Sequence, residues 1–125
     1  MKILITGGLG FIGSNLVEYL LSKKSIKKIV IVDNFSKSST KYLDTITKYK
    51  LFSSTKNYKT SSSRVEVIKS DINNKDFAFK VTKKIDYIVH LAAESGVDVS
   101  ISKPYESFQT NVLGAYNYIE ASRLN

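Results

Sequence analysis

Apolar residues along this chain fall into short unbroken runs, separated by stretches with helical spacing. Lys2–Thr6 (KILIT), Lys28–Asp33 (KIVIVD), Val65–Lys69 (VEVIK) and Tyr87–Leu91 (YIVHL) are too short for helices and rich in β-branched residues, so they predict strands. Phe11–Lys24 places Leu16, Val17, Leu20 and Leu21 at helical spacing, with Lys24 at its end complementing the helix dipole. Lys41–Lys50 predicts a short helix with Leu43, Ile46 and Tyr49 or Lys50 on one side, and Asn74–Lys83 another with Phe77 and Val81 at i, i+4. Ser102 and Pro104 mark the start of a last helix, in which Phe108, Val112, Tyr116 and Ile119 predict one buried stripe. Phe52–Ser63 (FSSTKNYKTSSS) is polar and serine-rich and reads as a mobile loop.

The predicted order is β-α-β-(α)-β-α-β-α, with no internal repeat. Strands that are apolar throughout and separated by helices imply a parallel sheet covered on both faces. Right-handed crossovers then give a partial doubly wound α/β fold of the Rossmann kind, with strand order 3-2-1-4.

A length of 125 residues suits one domain, and 42% hydrophobic with 24% charged residues is ordinary globular composition. The absence of cysteine excludes disulfides, thiol nucleophiles and iron–sulfur clusters. A single histidine, His90, argues against a histidine-rich metal site, so no metal is expected; His90 itself reads as a packed strand-end residue. No apolar run approaches a bilayer span and the N-terminus does not resemble a signal peptide, so a cytoplasmic chain away from membranes is expected.

The net charge of +8 raises nucleic acid as a partner, but its distribution argues against one. Residues 22–84 hold sixteen cations and five anions, whereas residues 85–125 hold two cations and five anions. Only Arg64 and Arg123 are arginines, so the fork geometry that reads base edges is nearly absent.

The candidate chemistry begins at Thr6-Gly7-Gly8-Leu9-Gly10-Phe11-Ile12-Gly13, directly after a strand and opening a helix. Gly7 allows the tight turn, Gly10 lets backbone approach a pyrophosphate, and Gly13 lets the helix pack close to the sheet. The N–H groups of Phe11 and Ile12 then face the phosphates along the helix dipole. Asp33 ends the second strand twenty residues beyond Gly13, where its carboxylate can accept ribose hydroxyls and repel a 2′-phosphate. The cofactor read from this pattern is NAD rather than NADP. Lys37 lies close enough to offset part of that repulsion.

Together with these residues, VDNFS (Val32–Ser36), SDI (Ser70–Ile72), HLAAESGVDVSI (His90–Ile101) and the block Pro104–Arg123 around TNVLGAYN resemble the NAD-dependent epimerase/dehydratase family, the extended short-chain dehydrogenase/reductases acting on nucleotide sugars. The likeness spans nearly the whole chain, departing at residues 37–64, where a serine- and lysine-rich insertion of unassigned role lies. It implies that Asn34 joins Asp33 at the cofactor, that Asp71 and Ile72 contact the adenine, and that Leu91, Ala92 and Ala93 run along the nicotinamide end. It also implies that Glu94 and Ser95 face the substrate and that Asn111 orders the site.

Family chemistry passes a hydride from the sugar C4 to the nicotinamide, with a Tyr-x-x-x-Lys pair removing the hydroxyl proton and a Ser or Thr polarising the oxygen. The one match here, Tyr19–Lys23, falls on the first helix, whereas the family pair follows the fourth strand. The resemblance thus implies the N-terminal part of such a domain, with the catalytic pair, later strands and substrate-binding portion expected beyond Asn125 and the chain alone inactive. VDNFS and GVDVSI favour a UDP-hexose 4-epimerase; LAAES keeps a 4,6-dehydratase open, and a noncatalytic NAD-binding module is the third alternative. A homodimer is the further implied partner.

Overall fold

The computed structural model describes residues 1–125. Strands β1 (Lys2–Thr6), β2 (Lys28–Asp33), β3 (Lys50–Phe52), β4 (Val65–Lys69) and β5 (Tyr87–His90) form one parallel sheet in the order β3-β4-β2-β1-β5. The four predicted strands stand in the predicted order. β3 is an addition: Lys50–Phe52, expected to close a helix and open a loop, pairs instead with Glu66–Ile68 at the sheet edge. Three residues carry no period that separates strand from helix.

Alternation decides which face each strand residue serves. Ile3, Ile5, Ile29, Ile31, Val65 and Val67 pack on one side with Val17 and Leu20 of α1 (Phe11–Leu21) and Leu43 of α2 (Lys41–Ile46). Leu4, Val30, Val32 and Ile68 pack on the other with Phe77, Ala78 and Val81 of α3 (Lys75–Val81) and with Tyr118 and Ala121 of α6 (Ala115–Leu124). Both faces are covered, which is why strands β1, β2 and β4 are apolar almost throughout.

Several helix boundaries differ from the pattern. α1 stops at Leu21 with Ser22 as its cap, so Lys24 lies beyond the last turn and does not meet the dipole. α2 ends at Ile46, and Asn74 caps α3 by accepting from the Phe77 N–H at 3.1 Å. The predicted last helix runs from Pro104 as α5 (Pro104–Phe108), a π-helical segment (Gln109–Gly114) and α6, and an unpredicted short helix, α4 (Val97–Ser102), precedes it.

The predicted stripe on that segment faces outward. Phe108, Val112, Tyr116 and Ile119 are 46–68% exposed, while Gly114, Asn117, Tyr118 and Ala121 face the sheet. Gly114 permits this close approach, because a Cβ there would lie 2.4 Å from Ile72 Cδ1. Asn117 fixes the same contact by donating to the Ile72 carbonyl at 3.2 Å.

The serine-rich loop is anchored rather than loose. Tyr58 is buried between Phe52 and Phe77, edge-on to both rings. Its hydroxyl donates to Glu66, a fully buried carboxylate that also accepts from Lys28 Nζ at 2.8 Å and Ser61 Oγ at 2.7 Å. Lys28 in turn donates to the Ser61 and Ser63 carbonyls, so one ion pair ties the loop to β2 and β4.

Candidate functional site

A cavity of about 370 Å³ opens at the C-terminal ends of the strands. Its floor is the β1–α1 turn. Gly7 has φ +68°, and a Cβ there would lie 2.8 Å from the Ala92 amide nitrogen, so both conformation and space demand glycine. At Gly13 a Cβ would lie 2.5 Å from the Gly7 carbonyl oxygen, which brings α1 against the turn. Gly10 is different: its φ is −70°, and the nearest atom to a built Cβ is the Gly7 oxygen at 3.4 Å. Neither backbone nor packing demands glycine there, and Gly10 lines the cavity. A side chain would instead occupy the cradle where a phosphate could lie against α1, whose first-turn N–H groups lack helical acceptors.

Asp33, 7% exposed, sits beside the turn. Its Oδ2 accepts from the Leu9 N–H at 3.1 Å, and its Oδ1 accepts from the Phe35 N–H at 3.0 Å and Ser38 Oγ at 3.1 Å. These bonds hold Phe35 in a left-handed conformation, φ 63°, that turns the chain around the cavity. Three of roughly four acceptor sites are filled, which leaves one on Oδ2.

Thr6 organises the opposite wall. Its Oγ1 receives the Leu91 and Ala92 N–H groups at 3.2 and 3.3 Å and lies 2.9 Å from His90 Nδ1. The Leu91 N–H is shared with the Thr6 carbonyl at 3.0 Å. Burial pushes the His90 pKa down, which favours the neutral ring. Its ring packs against Tyr118, the setting of a structural histidine.

Beyond Ala93, Asn111 pins Glu94 from the π-helical segment, accepting from its N–H at 2.8 Å and donating to its carbonyl at 2.9 Å. The Glu94 carboxylate pairs with Lys37 across the cavity and accepts from the Gly96 N–H at 3.1 Å. The Lys37 hydrogen bond is the main reason its pKa is lowered. Lys37 therefore spends its charge on Glu94, not on Asp33.

Of the residues singled out by sequence, Gly7, Gly10, Phe11, Asp33, Asn34, Asp71, Ile72, Leu91, Ala92, Ala93, Glu94 and Ser95 line this one cavity. Ile12, Gly13 and Asn111 do not; the last two shape it from behind. Ile72 is 5% exposed and belongs chiefly to the core. Sequence reasoning missed Val32, Ser36, Ser38, Ser70 and Thr110 as lining residues. Ser38 was findable, since it follows Asp33 within hydrogen-bond reach of a turn; Thr110 carries no local signal. Tyr19 and Lys23 lie outside the cavity, with Lys23 Nζ 4.2 Å above the ring of an exposed Tyr19. No group of three or more metal-ligating side chains occurs, and no helix is long and apolar enough to cross a membrane.

Comparison with known proteins agrees with this geometry. The chain is 36% identical to a probable dTDP-glucose 4,6-dehydratase of Sinorhizobium fredii, over 98% of this chain and 32% of that protein. Its fold matches a UDP-glucose 4-epimerase from Thermotoga maritima determined with UDP-glucose, at TM-score 0.76 and 26% identity, over 98% of this chain and 34% of the other. A dTDP-glucose 4,6-dehydratase from Streptomyces venezuelae with NAD bound matches at TM-score 0.78 and 27% identity, over 98% of this chain and 35% of the other. The chain thus spans about a third of the length of these relatives. Residues 4–125 match the GDP-mannose 4,6 dehydratase family, and the chain belongs to that family, a group of extended short-chain dehydrogenase/reductase epimerases and dehydratases.

Proposed function

We propose that residues 1–125 are the NAD-binding part of a cytoplasmic nucleotide-sugar enzyme that works through a 4-keto sugar, with a UDP-hexose 4-epimerase as the leading reading. The observation that carries it is Gly10, which neither a positive φ nor packing requires and which leaves the cavity open at the N-cap of α1. Bound NAD would supply the hydride acceptor and return the hydride to the sugar. Phe11 and Ile12 would offer N–H groups to the pyrophosphate, and Asp33 its remaining lone pair to a ribose hydroxyl, with Asn34 alongside. The buried anion at Asp33 disfavours a 2′-phosphate, since Lys37 is already neutralised by Glu94. Asp71 and Ile72 would meet the adenine, Leu91, Ala92 and Ala93 the nicotinamide end, and Glu94 and Ser95 the nucleotide sugar, with Asn111 holding their loop.

The test is calorimetric titration of NAD. Saturable micromolar binding is expected, and Gly10→Val should weaken it about tenfold or more while the chain stays folded, its melting temperature falling only by the loss of a better N-cap residue. Wild-type affinity in that variant would overturn the reading.

Proton abstraction at the sugar needs a Tyr/Lys pair, and Tyr19–Lys23 lies outside the cavity. Residues 1–125 alone are therefore expected to bind NAD without epimerising UDP-hexose. A 4,6-dehydratase is the second reading, supported by the 36% identity to a probable dehydratase. Product analysis in a chain of the relatives' length separates them: a C4 epimer supports the first, a 4-keto-6-deoxy sugar the second.

The same reading seats a second copy on the exposed residues Val97, Ile101, Tyr105, Phe108, Val112, Tyr116 and Ile119, which recur every three or four positions. Sedimentation should give a dimer that Tyr116→Glu with Ile119→Glu converts to monomer.

A further inference from the structure

The opposite end of the sheet holds a second cavity, of about 350 Å³, in the size range of small-molecule sites. Six of the chain's seventeen lysines line it: Lys2, Lys28, Lys59, Lys80, Lys83 and Lys84. They arrive from four separate places, the starts of β1 and β2, the loop before β4, and the end of α3 with the turn that follows. No carboxylate is among the lining residues. Lys28 is committed to Glu66, while the other five have no acidic partner within ion-pair distance. Glu66 is spent on its buried network, and Asp86, which follows the lining residue Ile85, accepts the Lys2 N–H at 2.7 Å and makes no ion pair with any of the five.

The C-terminal end of α3 offsets part of the repulsion among Lys80, Lys83 and Lys84, and an anion in the cavity would offset more of it. Cations gathered around a low-dielectric wall repel one another and focus their field into the concavity. Here the wall is apolar, made by Tyr58, Val81 and Ile85, and Lys80 Nζ stands 5.8 Å from the Tyr58 ring. Lys84 adopts φ 62°, a left-handed position after a helix where glycine is the less strained choice. The chain keeps a cation there.

We propose that this cavity is an anion site for an oligophosphate, separate from the cofactor cavity at the other end of the strands. Lysine binds phosphate as a point charge and needs no fork geometry, so five mobile ammonium groups suit several adjacent phosphates. A concavity of about 350 Å³ suits a compact ligand better than a nucleic acid strand, which would need an extended groove.

The test uses inorganic tripolyphosphate, titrated calorimetrically into the chain at about 0.15 M salt, where exposed charge is screened beyond roughly 8 Å. One saturable site is expected. Lys59→Gln/Lys83→Gln/Lys84→Gln should weaken it about tenfold or more, and arginine at the same three positions should restore it. The control triple Lys23→Gln/Lys24→Gln/Lys50→Gln removes equal charge and should leave affinity within about twofold. Equal loss in both triples, or no saturation, would show diffuse surface charge and overturn the proposal. Displacement of tripolyphosphate by NAD would also overturn it, by moving the anion to the glycine turn. So would tighter binding of single-stranded DNA that is lost in the same triple, since the surface would then belong to nucleic acid. All three tested lysines are exposed, so melting temperatures should match wild type.

Discussion

The two ends of the sheet meet their surroundings by different means. At the C-terminal ends, the cavity is shaped by backbone: glycines at 7, 10 and 13, turns held by Asp33, and a loop held by Asn111. At the N-terminal ends, long side chains dominate, and one buried ion pair, Lys28–Glu66, supports a rim of unpaired lysines. A backbone-built site is rigid and intolerant of added atoms. A side-chain-built rim tolerates substitution everywhere except at its buried support.

That contrast can be broken most forcefully at Lys28. Lys28→Met leaves Glu66 buried without its cation and should cost about 3–5 kcal/mol in urea unfolding. A loss below 1 kcal/mol would mean that the ring of hydroxyls and amides around Glu66 suffices. The corresponding change at the other end is Gly13→Ala. Its Cβ meets the Gly7 oxygen and Gly8 Cα, both backbone, at 2.5 and 2.6 Å, so about 1–3 kcal/mol is expected, with NAD binding weakened in parallel.

Acid should sharpen the comparison further. Burial pushes the Glu66 carboxyl up, but hydrogen bonds from Lys28 and Ser61, with the Lys28 charge, outweigh it and hold the pKa below the ordinary carboxylate range. A lowered folded-state pKa means that the unfolded chain binds the proton first. The stabilisation is therefore whole above the unfolded carboxylate value, about 4.3, and is lost as pH falls through the folded one. Unfolding free energy measured between neutral and acidic pH should show this limb, and Lys28→Met should shrink it.

The smallest effect belongs to Tyr118, 2% exposed, whose hydroxyl finds no partner. Burial raises its pKa, so the phenol stays protonated. Tyr118→Phe removes an unsatisfied donor and should raise stability by about 1 kcal/mol; a decrease would reveal a partner for the hydroxyl.

Much of the fold was legible along the chain, and the misses share a cause. Strands 2–6, 28–33 and 65–69 announce themselves because parallel strands under two layers of helix are apolar on both faces. Phe108, Val112, Tyr116 and Ile119 were read as a core stripe, and they do share a spacing. Periodicity identifies an apolar face, however, and says nothing about what covers it. Gly114 lets the helix approach Ile72, Asn117 bonds the Ile72 carbonyl, and Tyr118 and Ala121 fill the space beyond, so that face is the inner one. Lys50–Phe52 was missed because strand pairing supplied what three residues cannot signal.

What the sequence alone determined is therefore local: strand-turn-helix around Gly7–Gly13, Asp33 at its strand end, and the layered α/β order, each written in contiguous residues whose backbone needs are short-range. Tertiary structure alone decided which face of α6 is buried, that Lys37 reaches Glu94, that Tyr58 and Lys28 converge on Glu66, and that six scattered lysines ring one cavity. The Tyr58–Glu66, Lys28–Glu66 and Lys37–Glu94 contacts join residues 8, 38 and 57 positions apart, and their energies depend on burial and neighbouring charge that no linear pattern encodes.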